Sequence, residues 1–469
     1  MFREPLQRES VVSGATASAF VPRLAVGTIR RRADLRPVLW ALLEALRQEG
    51  LQVQSFRSEA SLSACRGVSA ITGLSPRHLD SWLMSPERCR ELFLRASAGV
   101  DLAVVEGRFC VGAGMACSSL ETICRWLGLP RVIVVEASRI GRHLGALPVA
   151  AEAVLIDRVA DVRHAARLAA DVEAIWGVPV VGALGRVGET RTALAALPPG
   201  GSVPRRLRER LADSLMRYWR PRLLWELATA GPLPGTDAGR LVVEPTRPLR
   251  VAIAYDEAFH CYFPDTLDCF DLRGASVMDF SPLHDESLPA GTDVVYLGCG
   301  SPERYATALA ENHCIKAALR EHLRGGGRIY AEGAGLAYLC QYLETADGGW
   351  ARMVGLVAAV ARLRRRRGVP LPVQIALPRT TWLGPKGTLL RGYLTARWRL
   401  EPAGYPIRPQ RGSHRCPALV VSPQLVGSLV HLDFAAQPEL LARFFFPEPS
   451  ASLKPGSMPL TPLAARPIL

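Results

Sequence analysis

The sequence predicts an α/β protein of two doubly wound domains, and three observations carry that expectation. Short apolar runs, among them Asp101-Leu-Ala-Val-Val-Glu106, Arg131-Val-Ile-Val-Val135, Ala153-Val-Leu-Ile-Asp157 and Val178-Pro-Val-Val181, alternate with stretches of helical spacing. Strands that are apolar throughout belong to parallel sheets covered on both faces. A second series of the same kind starts at Leu249-Arg-Val-Ala-Ile-Ala-Tyr255, after an interval rich in proline. The third observation is length, because 469 residues exceed what one hydrophobic core organises.

Residues 1–18 are polar and aperiodic and read as a loose tail. The first domain, residues 19–187, opens with a strand at Leu24-Ala-Val26 and a helix carrying Leu39, Leu42, Leu43 and Leu46 on one stripe. A stop at Gly50 and a strand at Leu51-Gln-Val53 complete the unit. Further helices are expected over Ser118 to Gly128 and Asp161 to Gly177. Residues 188–248 combine Pro-rich turns with a basic helix around Leu207 to Leu227 and read as a connecting segment. The second domain, residues 249–446, continues through Val277, Val294-Val-Tyr-Leu297 and Arg328-Ile-Tyr330, and residues 447–469 read as an untethered Pro-rich tail.

With 49% hydrophobic and 21% charged residues the chain is globular, which excludes a disordered or fibrous protein. The net charge of +14 is almost all arginine, scattered without an aromatic-interleaved stripe. It reads as a solvated basic surface and not as a nucleic-acid groove. The run Arg364 to Arg367 lies between apolar segments and reads as an exposed loop or helix end. Eleven cysteines without paired spacing argue for a reducing compartment. Cys110, Cys117 and Cys124 recur every seven residues, but no His or acid completes a ligand set, so they read as small core residues. No apolar run reaches the ~20 residues of a membrane span, and a cytoplasmic protein is expected.

The stretch Arg328-Ile-Tyr-Ala-Glu-Gly-Ala-Gly-Leu-Ala-Tyr-Leu-Cys340 has the layout of a nucleophile elbow: a short strand, an abrupt turn and a helix. Its apex should carry Ser or Cys. Gly333 stands there instead, with no side chain.

Five blocks carry a resemblance to a known family. They are Val104-Val-Glu-Gly107, Asp256-Glu-Ala-Phe-His-Cys-Tyr-Phe-Pro264, Phe280-Ser-Pro-Leu-His-Asp-Glu-Ser-Leu-Pro289 with Gly298-Cys-Gly-Ser-Pro-Glu303, Tyr330-Ala-Glu-Gly-Ala-Gly335, and Ser428-Leu-Val-His-Leu-Asp-Phe434. In order and spacing, from about Arg23 to Arg443, they resemble the cobyrinic acid a,c-diamide synthases. The resemblance implies an N-terminal P-loop-like parallel sheet, similar to dethiobiotin synthetase, joined to a C-terminal class I glutamine amidotransferase-like domain. It also implies a reaction, in which ammonia released from glutamine attacks a carboxylate that Mg-ATP has phosphorylated.

Several positions depart from that pattern. In place of a Gly-rich phosphate loop stands Gly27-Thr-Ile-Arg-Arg-Arg-Ala-Asp34, with one glycine and no lysine, and no cofactor-binding residue is assigned. Glu106 keeps the place of an acid that helps to hold Mg²⁺ and counts as a metal residue only if Mg-ATP is bound; the other reading is a helix cap or a partner for an arginine. The substrate loop aligns with Arg57 to Cys65 and keeps almost none of its chemistry, whereas His78-Leu-Asp80 and Trp82 keep the neighbouring framework. Gly298-Cys-Gly300 resembles the oxyanion loop. Glu332-Gly333 replaces Glu-Cys, and His431 occupies the place of the catalytic His, with Asp433 expected on its face by strand alternation. A His-Glu segment is altered to Arg391-Gly-Tyr-Leu-Thr395, and Cys299 is the only thiol positioned to substitute, Cys340 lying two turns down the helix.

The expected function is therefore that of a divergent member without glutaminase activity or the usual ATP cradle. Such a pseudoenzyme would bind a corrinoid-like or other acidic small molecule in the inter-domain cleft, or an active paralogue or second copy of itself. The competing expectation is an amidoligase that uses Mg-ATP with free ammonia or a partner's glutaminase. Neither nucleic acid nor membrane is expected as a partner.

Overall fold

The computed structural model describes residues 21–30, 33–62, 67–109, 118–140, 147, 149–197, 201–229, 231, 248–364, 370–395, 397–402, 417–448 and 463–464. The tail 1–18, Cys110, Cys117 and Arg365 to Arg367 lie outside them, so the readings of those residues stay as expectations.

The first domain is built on seven strands: β1 (Arg23–Thr28), β2 (Val53–Arg57), β3 (Arg77–His78), β4 (Leu102–Arg108), β5 (Arg131–Glu136), β6 (Ala153–Val159) and β7 (Val180–Gly185). Their order is β3-β2-β4-β1-β5-β6-β7 and every pairing is parallel. Leu24, Val104 and Val132 are fully or almost fully buried, as the unbroken apolar runs require. Helix α1 (Arg36–Gln48) starts with Pro37 in its first turn and buries Leu39, Leu42, Leu43 and Leu46. The connecting segment supplies two helices to this domain, Arg205–Met216 and Pro221–Ala228. Leu211, Leu215 and Leu224 share a core with Trp40 and Leu43, so these helices are a layer of the first domain.

The second domain contains β8 (Leu249–Ala254), β9 (Phe259–Cys261), β10 (Ala275–Phe280), β11 (Val294–Leu297), β12 (Cys299–Gly300) and β13 (Arg328–Glu332). The strands β10-β8-β11-β13 are parallel, and Leu425–Ser428 continues the sheet in the same direction. Pro417–Val421 then runs antiparallel, and Leu463–Ala464 pairs with it. That last pairing corrects the expectation of an untethered tail: an open sheet edge offers unpaired backbone groups, and a short apolar dipeptide covers them. Beside this sheet, Val430–His431 pairs with Leu389–Leu394, setting Tyr393 opposite His431.

Three arginines of the first domain dock on the helix Pro264–Leu272. Arg77 pairs with Asp265 at 2.9 Å and with Asp268, Arg95 approaches Asp265 at 3.7 Å, and Arg88 donates to Cys269 Sγ at 3.5 Å and, beyond the helix, to the carbonyl of Ala435 at 2.7 Å. His78 and Trp82 meet aromatic rings of the second domain, Phe263 and Tyr393, at centroid distances of 5.0 and 5.9 Å. The retained His78-Leu-Asp80 framework is thus interface. Among the described residues no helix is long and apolar enough to cross a membrane.

Candidate functional site

The elbow is present. β13 ends at Glu332, Gly333 turns with φ 52° and ψ −102°, and a helix follows over Ala334–Leu339. That backbone region is open to glycine and strained for other residues. The turn is held by Gly333 N–H to Ser428 O at 2.7 Å and by Gly335 N–H to Gly298 O at 3.0 Å. A Cβ on Gly335 would sit 2.2 Å from Leu297 O, so only glycine lets the elbow lie against the loop at β12.

The space over Gly333 is not vacant. A Cβ there would lie 2.7 Å from Cys299 Sγ and 3.4 Å from His431 Nε2. The thiol of the neighbouring loop has taken the place where an elbow side chain would begin, and it lies 3.3 Å from His431 Nε2. Burial raises the Cys299 thiol well above the usual range, and Glu332 reinforces the shift.

His431 is orientated across the domain boundary. Its Nδ1 accepts the backbone N–H of Leu62 at 3.0 Å. An accepting Nδ1 is unprotonated, so the neutral ring carries its hydrogen on Nε2, facing Cys299 and Thr395 Oγ1 at 3.4 Å. Burial holds the imidazole neutral by lowering its pKa to about 3. In this state it presents the thiol with a proton and no lone pair, the reverse of what a general base needs.

Asp433 does not join His431, which corrects the expectation from alternation. The strand stops at His431, and Asp433 Oδ1 instead takes Ala435 N–H at 3.0 Å, Ala436 N–H at 3.3 Å and Thr266 Oγ1 at 3.3 Å. The residue that reaches the centre is Glu332. Alternation along β13 puts Tyr330 and Glu332 on one face, where the Tyr330 hydroxyl donates to Glu332 Oε2 at 2.7 Å and Leu432 N–H donates at 3.1 Å. Oε1 faces Cys299 Sγ at 3.9 Å.

Burial raises the Glu332 carboxyl to about 8, and Asp433 to about 7. A carboxyl raised in the fold keeps a proton that the unfolded chain has lost, so stability falls as pH rises towards the folded value. His78 and His431, lowered to about 3, act in the opposite sense but only below the ordinary histidine pKa of about 6.5. In EDTA-containing buffer, urea unfolding should therefore show stability dropping between about pH 6.5 and 8, by ~1–2 kcal/mol. Glu332→Gln should remove most of the slope above pH 7; an unchanged slope would assign it elsewhere.

In the first domain the described charges in and around Gly27 to Asp34 are paired. Arg30 pairs with Glu136 at 2.6 Å, Asp34 receives two Arg36 bonds at 2.8 Å, and Arg57 faces Glu106 at 3.4 Å. Burial raises the Glu106 carboxyl, with Asp34 adding to the shift and Arg57 opposing it. Gly27 to Asp34 ends in a carboxylate and has no lysine, and Arg30, its one described arginine, is committed to Glu136, so the described residues do not build a Mg-ATP cradle. Between the domains lies a cavity of about 160 Å³, lined by Arg36, Arg57, His78 and Glu106 on one side and His260 and Tyr262 on the other.

The fold and the elbow define a glutaminase-type amidotransferase domain joined to a second parallel α/β domain, and residues 250–393 match the CobB/CobQ-like glutamine amidotransferase domain. The chain is 30% identical to a cobyrinate a,c-diamide synthase of Syntrophotalea carbinolica, over 89% of this chain and 96% of that protein. It is 29% identical to a hydrogenobyrinate a,c-diamide synthase of Streptomyces coelicolor, over 92% of this chain and 99% of that protein. The chain belongs to the cobyrinate a,c-diamide synthase family.

Proposed function

We propose that this chain binds a carboxylate-rich corrinoid acid of the kind its relatives are named for, without transferring glutamine-derived ammonia to it. The observation that carries the reading is the elbow: Gly333 offers no nucleophile, and His431 turns a proton towards the one thiol nearby. A glutamyl thioester needs an activated thiol at that point. The paired charges in and around Gly27 to Asp34 argue in the same direction for ATP. The inter-domain cavity, at about 160 Å³, is smaller than the ~300–1,000 Å³ of pockets that enclose whole ligands, so it suits one carboxylate arm with the macrocycle outside. Arg57 and the two histidines would receive that arm.

Calorimetric titration with cobyrinate, glutamine and Mg-ATP separates the possibilities. Saturable binding of cobyrinate, weakened by Arg57→Gln, with no heat from Mg-ATP and no ammonia from glutamine, is the expected result. The second reading, an amidoligase fed by free ammonia or by a partner, draws on family membership along nearly the whole of the relatives' length. ATP consumption with amidation of cobyrinate in ammonium buffer would establish it and overturn the first.

A further inference from the structure

Cys299, Glu332 and His431 bring one sulfur, one oxygen and one nitrogen donor together, all buried and all within 4.8 Å of one another. We propose that this collapsed glutaminase centre is a binding site for a divalent metal of the zinc class.

The separations suit a single ion. Ligand bonds of about 2.0–2.3 Å in a tetrahedron set donors roughly 3.3–3.7 Å apart; Sγ lies 3.3 Å from Nε2, inside that range, and 3.9 Å from Oε1, a short side-chain shift beyond it. The carboxylate is already aimed: Tyr330 and Leu432 hold Oε2 and leave Oε1 towards the sulfur. Outer partners of that sort fix a ligand's orientation. The charges also match, since a thiolate and a carboxylate neutralise a dication in a setting where an unbalanced charge is costly. A thiolate with an imidazole selects zinc-like ions over magnesium or calcium, which take oxygen donors. Three protein donors leave a fourth position for water or another ligand, and Thr395 Oγ1 lies 3.4 Å from Nε2.

One contact must yield. When Nε2 binds a metal, the ring proton moves to Nδ1 and meets the N–H of Leu62, so the Leu62 bond must break and the loop ahead of it must withdraw. The proposal does not rest on the corrinoid-binding reading, because none of the three donors lines the cavity, and Leu62, which does, is displaced by the metal alone.

The test is titration of the chelator-treated full chain with Co²⁺, followed by optical spectroscopy and hydrogen exchange. The expected result is a thiolate-to-cobalt charge-transfer band that saturates at one metal per chain and disappears on Zn²⁺ addition. It should be absent from Cys299→Ser, whose small change keeps the fold. Exchange at the Leu62 amide should rise on metal loading. No charge-transfer band in the unmodified chain, a band that survives in Cys299→Ser, or unchanged protection of Leu62 would each overturn the assignment. Failure of cobyrinate to bind would leave all three readouts untouched.

Discussion

Gly333→Cys is expected to lower the melting temperature and to leave the protein unable to hydrolyse glutamine. Two effects add. A residue with a side chain at φ 52° and ψ −102° stores ~1–3 kcal/mol of backbone strain. Its Cβ would also stand 2.7 Å from Cys299 Sγ in a buried site, and overpacking of that kind costs another ~1–3 kcal/mol. The exchange Gly333→Cys with Cys299→Gly separates these terms. Removing the obstructing sulfur should make the pair less destabilising than the sum of the single changes, by roughly 0.5–3 kcal/mol, as for residues in direct contact. Thermal unfolding of the four proteins closes the cycle, and strict additivity would mean that the sulfur contact carries no penalty. Activity should stay absent even after the exchange, because Leu62 still donates to His431 Nδ1 and keeps the ring proton on Nε2. Glutaminase turnover in Gly333→Cys would show instead that the imidazole can invert its tautomer within a working site.

Most of the fold was legible because the first sheet and the β10-β8-β11-β13 part of the second are parallel and covered. β11 was expected at Val294 to Leu297 and occupies those residues, since a fully buried strand leaves a continuous apolar run. The connecting segment holds helices within the stretch expected around Leu207 to Leu227; Leu207, Leu211 and Leu215 recur at four-residue intervals and mark the apolar stripe that packs on the first domain, a signal its prolines and arginines obscure. At the site, the glycine at the apex was readable from the motif. Its consequences were not, because the thiol that fills the space comes from a loop over thirty residues away in sequence. Asp433 was misplaced by extending alternation past His431, where the chain turns; aspartate is a common turn residue, so the signal was available. Leu62 left no trace, since a backbone N–H has no side-chain signature. Glu332 was visible as the i+2 neighbour of Tyr330, and only the packed strand shows the Tyr330 hydroxyl donating to its carboxyl.

Arg77→Ala is expected to be the most damaging single change at the domain boundary, at ~3–5 kcal/mol, the range for removing one partner of a buried ion pair. Asp265 is the reason. Its side chain is 3% exposed, Arg77 lies 2.9 Å away, and the next cation, Arg95, is at 3.7 Å. Burial raises the Asp265 carboxyl, and Arg77 is the largest influence holding it down. Without Arg77 the carboxylate must take up a proton or draw in water, and either response loosens the helix Pro264–Leu272. That helix also carries Thr266, which donates to Asp433 Oδ1 and to which Ala435 N–H donates at 3.2 Å, so the disturbance reaches the turn behind His431. Asp265→Asn in the Arg77→Ala background should recover a substantial part of the loss, because a neutral amide of the same shape needs no countercharge. Arg95→Ala, acting over the longer distance, should cost less. Equal losses from Arg77→Ala and Arg95→Ala, or no recovery with Asp265→Asn, would place the damage in lost packing and not in a stranded charge.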